Sequence, residues 1–191
     1  ILFVAASLIV MFVGLSRNAS VRKLSAPLAG VALVAAGVAA ILGPAGVPGS
    51  ALPALMPYSK AVIAGVGVLL LMLLAGTVDR GLEAQFTAGR PFESLRSSRG
   101  EFYAFFLFSM TGLMLCATAD DLIWLFLALE LTSLPTYVMV AISSGRGRAQ
   151  EAGVKYFFLG AFGAATFLMG FTLLYGATGT TLLFGPDGVG A

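Results

Sequence analysis

Apolar residues come in six long runs, at about 1–15, 24–42, 59–78, 102–119, 122–143 and 150–176. Each run except the first is long enough to cross a bilayer as a helix, which takes roughly 20 residues. The runs are continuous and do not alternate, and a barrel strand would be only about 10 residues long, so helices are predicted throughout. Between them lie a Gly- and Pro-rich uncharged loop, GPAGVPGSALPALMPY, and the longest polar connection, DRGLEAQFTAGRPFESLRSSRG at 79–100. A tight ADD turn at 119–121 joins the fourth and fifth helices. The predicted fold class is all-α, a single polytopic membrane helix bundle of about six transmembrane helices. The chain begins inside an apolar run and ends in the loop-like FGPDGVGA, and it reads as truncated at both ends.

Composition agrees with this pattern. Of 191 residues 59% are hydrophobic and 10% are charged, with a mean hydropathy of +0.97, whereas soluble domains carry about 25% charged residues. No basic stripe suits nucleic acid, so no nucleic-acid partner is expected. There is no histidine and one cysteine, which excludes an internal disulfide and the usual haem, zinc and iron–sulfur ligation. No cofactor is expected in this chain. Any redox group must sit in another one.

The basic residues fix an orientation. Arg17, Arg22, Lys23, Arg80, Arg90, Arg96, Arg99, Arg146 and Arg148 follow odd-numbered helices, and only Lys60 and Lys155 complete the eleven. By the positive-inside rule that side is cytoplasmic and the N-terminus lies outside.

One charge stands apart from this distribution. In LIWLFLALELTSLPTYVMVAI, at 122–142, Glu130 is the single charged residue. It lies eight residues into the helix, about 12 Å from its start. A charge at that depth costs at least roughly 2.5 kcal/mol, and intramembrane acids of this kind line ion paths more often than they serve packing alone. Burial disfavours the charged form of an acid and a nearby cation favours it, so a Glu near a Lys can be loaded and unloaded by small changes around it. Ser133 and Tyr137 follow at three and seven residues, on the same helical face. Their hydroxyls can hold water or relay protons, or can bond backbone carbonyls. Pro135 cannot donate to the carbonyl of Leu131, beside Glu130.

In the sixth helix Glu151 and Lys155 are spaced as an i,i+4 pair in the favourable order. Lys155 can alternatively snorkel to the headgroups. Gly160 and Ala164 form a small-xxx-small pair for close helix approach. Asp120 and Asp121 are expected to cap the fifth helix, Trp124 to anchor it at the interface, and Cys116 to be a small core residue.

The segments EFYAFFLFSMTGLML, DDLIWLFLALELTSLPTYV, EAGVKYFFLGAF and LLYGATG, between 101 and 179, resemble subunit N of bacterial respiratory complex I, the NADH-quinone oxidoreductase. The resemblance implies an antiporter-like fourteen-helix fold with two inverted five-helix repeats. It implies that Glu130 is the family's fifth-helix glutamate and that Lys155 with Glu151 are its sixth-helix charged pair. Glu130 would then pair with a lysine on a broken helix beyond residue 191. The implied function is proton translocation through a Glu/Lys half-channel, coupled to quinone reduction in other subunits. NADH and quinone are used by the whole complex. The implied partners are its other membrane subunits and the lipid bilayer, in a bacterial inner (plasma) membrane. A subunit of a multisubunit cation/proton antiporter is the alternative, and a helical bundle with no transport role is a third reading.

Overall fold

The computed structural model describes residues 2–16, 18–43, 55–74, 78, 98–144 and 147–189. Seven helices are described: α1 Leu2–Gly14, α2 Ala19–Arg22, α3 Ser25–Leu42, α4 Met56–Leu74, α5 Arg99–Cys116, α6 Leu122–Ile142 and α7 Gly147–Thr178. The loop at 44–54 and the polar stretch 79–97 lie outside the described residues. So do Arg17, Arg80, Arg90, Arg96 and Arg146.

Among the described residues, four helices are long and apolar enough to span a membrane: α3, α4, α6 and α7. α1 has 13 residues, about 20 Å of helix against a hydrocarbon core of about 30 Å. α7 has 32 residues, or about 48 Å, so it must tilt or project beyond that core. The fourth expected span begins at Arg99 rather than 102. Arg99 and Glu101 in its first turn lower its hydropathy, which is why composition ranks it below its neighbours.

α5 is nevertheless the centre of the bundle. Phe102, Tyr103, Phe106, Leu107, Met110 and Met114 are all buried along it. α1, α3, α4 and α6 pack around it, and α7 packs chiefly on α6. Glycines make the tight crossings possible. Gly100 of α5 lies against Gly14 of α1, where an added Cβ would come 2.9 Å from the Met11 carbonyl oxygen. Gly112 lies against α6, where a Cβ would come 2.8 Å from the Ala128 carbonyl oxygen. Membrane helices have no hydrophobic drive to associate against lipid tails, so such backbone proximity supplies much of their attraction.

The outer surface is apolar. Val31 and Val62 are about two-thirds exposed, and Met72, Leu73, Leu159 and Phe162 more so. This is the inverse of a soluble fold, and a bilayer solvates it. Polar anchors sit at the ends. The Arg99 guanidinium donates to the Val78 carbonyl at 3.2 Å, Ser98 Oγ to the Ile142 carbonyl at 3.2 Å, and Arg22 Nη1 to the Ser16 carbonyl at 3.0 Å.

The opposite end is closed by the segment after α7. Residues 179–189 fold back onto the α5–α6 turn through an antiparallel bridge between Asp121 and Leu182. Leu122 N–H donates to the Thr181 carbonyl and Leu183 N–H to the Asp120 carbonyl, both at 2.8 Å. Gly179, with φ of 72°, makes the reversal at the end of α7, a left-handed conformation that glycine adopts without a Cβ penalty.

Candidate functional site: a polar chamber between two helices

Helical periodicity alone brings Glu130, Ser133 and Tyr137 to one face of α6, and that face meets α7. The three line a cavity of about 200 Å³, with Phe126 and Leu129 completing the α6 wall. The α7 wall is Gly160, Gly163, Ala164 and Phe167. The small residues on α7 are what leave room for a chamber there.

Tyr137 lines the chamber at one end. It is 8% exposed, with Tyr156 packed edge-on at 4.7 Å and Phe157 at 5.9 Å between ring centroids. Its ring lies directly over Gly160, where an added Cβ would overlap the Tyr137 Oη and come 2.9 Å from Cε1. Gly160 is therefore the seat of this tyrosine. The Gly160/Ala164 spacing signalled close approach; the partner is an aromatic side chain rather than a bare helix backbone.

The serine and threonine hydroxyls within α6 are turned to its own backbone. Ser133 Oγ donates to the Leu129 carbonyl at 2.8 Å and Thr132 Oγ1 to the Ala128 carbonyl at 3.0 Å. Thr136 Oγ1 donates to the Ser133 carbonyl at 2.6 Å. Ser133 keeps acceptor lone pairs and remains in the chamber wall. α6 continues through the buried Pro135.

Glu151 and Lys155 fall elsewhere. Lys155 Nζ bonds Glu151 Oε1 at 2.6 Å, with the two side chains 71% and 63% exposed. α6 and α7 run antiparallel, with Gly160 against Tyr137 and Gly153 against Ala141. Lys155 thus lies between those levels, roughly 15 Å along the axis from Glu130 at the standard rise. The five sequence-selected residues form two groups, a partly buried triad and an exposed ion pair. Cys116 is partly buried rather than fully in the core, and Trp124 is 47% exposed one turn into α6.

At the other end of α6, Asp121 is the N-cap: Oδ1 accepts from Ile123 N–H at 2.7 Å and Trp124 N–H at 3.2 Å. Oδ2 accepts a short hydrogen bond from Thr181 Oγ1. The Thr181 hydroxyl, followed by the two backbone donors, holds the Asp121 carboxyl below its ordinary range. A second, apolar cavity of about 350 Å³ lies at this end, lined by Leu122, Ile123 and Phe126 of α6, by Leu168, Phe171, Thr172 and Tyr175 of α7, and by Thr181. Neither this cavity nor the Thr181 contact was among the sequence expectations. The residues involved are 60 apart in the chain, and no local signal connects them.

Long apolar helices with an acid on the face between two of them describe a polytopic membrane protein. A family model described as "NADH:quinone oxidoreductase/Mrp antiporter, TM" matches residues 119–185, which contain both cavities. The chain has the antiporter-like membrane fold, and it is a homologue of NADH-quinone oxidoreductase subunit N. It is similar to that subunit from Myxococcus xanthus, 51% identical over 87 residues, which cover 46% of this chain and 17% of the relative. The subunit from Alkalilimnicola ehrlichii is 35% identical over 179 residues, covering 90% of this chain and 34% of the relative. Among solved structures, respiratory complex I from Thermus thermophilus with bound aureothin contains a similar chain. It has a TM-score of 0.64 and 26% identity, over 97% of this chain and 38% of that one. An archaeal membrane-bound sulfane sulfur reductase shares the fold with a TM-score of 0.66 and 23% identity, over 95% of this chain and 38% of that one. The chain spans only part of these relatives: 17% of the Myxococcus subunit, 34% of the Alkalilimnicola subunit and 38% of the Thermus chain.

Proposed function

We propose that this chain is part of an antiporter-like membrane subunit of an NADH-quinone oxidoreductase, and that Glu130 carries protons in a path between α6 and α7. The observation that carries the reading is the chamber: Glu130 shares a largely apolar cavity at mid-span with the polar side chains of Ser133 and Tyr137. A carboxylate placed there without a role in ion movement would be an uncompensated cost. The chain performs no redox chemistry. NADH and quinone react in other subunits.

In the full subunit a lysine on a neighbouring helix is the expected counter-charge of Glu130. Lys155, paired with Glu151 at 2.6 Å, serves the path from its entrance. The expected partners are other membrane subunits of the same complex and the surrounding lipid, in a bacterial inner membrane with the N-terminus outside. The end bearing Arg22 and Arg99 then faces the cytoplasm.

The test is proton movement in vesicles holding the assembled complex. NADH should acidify the lumen when the complex is oriented with its NADH site outward. Proton flux that instead requires added sodium or potassium, and none from NADH, would favour a cation/proton antiporter.

A further inference from the structure

The two cavities between α6 and α7 lie in series along one groove. The polar chamber holds Glu130, and the apolar one lies toward Asp121 and Thr181. Phe126 lines both, and it sits one helical turn before Glu130 on the same face. On α7, Phe167 lines the polar chamber and Phe171 the apolar one. Those two rings pack edge-on at 5.8 Å. The partition between the chambers is thus aromatic from both helices.

The apolar chamber offers water little beyond the Tyr175 hydroxyl. The Thr172 hydroxyl donates to the Leu168 carbonyl at 2.8 Å, and the Thr181 hydroxyl is given to Asp121. This cavity of about 350 Å³ is half-open, with Ile123, Leu168 and Tyr175 about half exposed, and so apolar a wall gives a water chain little to hold it. Protons move along hydrogen-bonded water, so a dewetted constriction stops them.

We infer that Phe126 is a hydrophobic barrier that keeps Glu130 out of proton exchange with the Asp121 end of the groove. The inference rests on the reading of Glu130 as a proton carrier. Glu130 then exchanges protons through the Ser133–Tyr137 side. Flux toward Asp121 requires the aromatic partition to part and the apolar chamber to wet. A pump needs such a block, because a path open at both ends only leaks.

The experiment uses the assembled complex in vesicles without NADH, and reads the decay of an imposed pH gradient. Phe126→Ser should raise the passive leak at least roughly tenfold, the change that lowering a barrier by about 1.36 kcal/mol produces. Phe126→Leu, still apolar, should stay tight. Adding Glu130→Gln to Phe126→Ser should return the leak to the wild-type rate. If Phe126→Ser fails to assemble, Phe171→Ala removes the α7 side of the partition and should leak in the same way. Wild-type tightness in the assembled variants overturns the barrier, as does a leak indifferent to Glu130→Gln. NADH-driven pumping by Glu130→Gln alone separates the two readings: loss of pumping beside a tight Phe126→Ser sinks only the barrier, whereas normal pumping sinks the carrier reading beneath it.

Discussion

Replacing Gly160 with alanine adds one methyl group directly beneath the Tyr137 ring, and the structure leaves that ring no retreat. Tyr137 is 8% exposed and has Tyr156 and Phe157 against it at 4.7 and 5.9 Å. The new Cβ would overlap Oη and approach Cε1 to 2.9 Å. Either α6 and α7 move apart or the ring leaves its aromatic neighbours. Overpacking of this kind costs about 1–3 kcal/mol, and each edge-to-face pair is worth about 0.5–1.5 kcal/mol. A loss of about 2 kcal/mol is therefore expected, or about 2 °C in the apparent melting temperature of the full subunit, because the entropy of unfolding grows with chain length. The assay is thermal unfolding of the full subunit in detergent, as a double-mutant cycle with Tyr137→Leu. Leucine is too short to reach the added methyl, so Gly160→Ala should cost little more once Tyr137→Leu is present. Additive losses, or a Gly160→Ala variant as stable as the wild type, would show that Tyr137 is not seated on Gly160.

Further outcomes follow from other contacts. Asp121→Ala should cost about 0.5–2 kcal/mol through the lost N-cap, and thermal unfolding of the full subunit at neutral pH would check it. The pH dependence has a definite sign. The Asp121 carboxyl is held below its ordinary range by Thr181 and the two backbone donors, so its contribution is complete above the unfolded value of about 3.9. It is lost only as pH falls through the lowered folded value, and amide exchange at Leu183 should remain protected until then. Gly112→Ala should loosen the α5–α6 crossing, since its Cβ would come 2.8 Å from the Ala128 carbonyl oxygen; protease resistance of the membrane subunit would report it. Lys155→Ala removes an exposed ion pair worth about 0.3–0.5 kcal/mol, and it should lower pumping less than a change at Glu130 does.

What the sequence made legible was local. The apolar runs gave the helices because a span needs length and hydropathy and little else. The triad Glu130, Ser133 and Tyr137 could be read from the offsets of three and seven, since helix geometry alone puts those residues on one face. The relations between helices were not legible. α5 has a charged first turn and modest hydropathy, yet it is the hub of the bundle, because small residues such as Gly100 and Gly112 let neighbours close on it. Hydropathy rewards exposure to lipid and says nothing of burial against protein. The Asp121–Thr181 contact and the closing segment 179–189 depend on the turn-back after Gly179. The Glu151–Lys155 spacing correctly signalled a pair, but one helix cannot reveal that the pair lies roughly 15 Å along the axis from the chamber.

The most direct measurement is NADH-driven proton pumping by the complex carrying Glu130→Gln, with assembly and quinone reduction followed in the same preparation. Glutamine keeps the size and much of the hydrogen bonding but holds no exchangeable acidic proton. The account predicts a normally assembled complex in which pumping and coupled quinone reduction both fall, and a milder deficit in Glu130→Asp. A Glu130→Gln complex that assembles and pumps at the wild-type ratio of protons to electrons would contradict it.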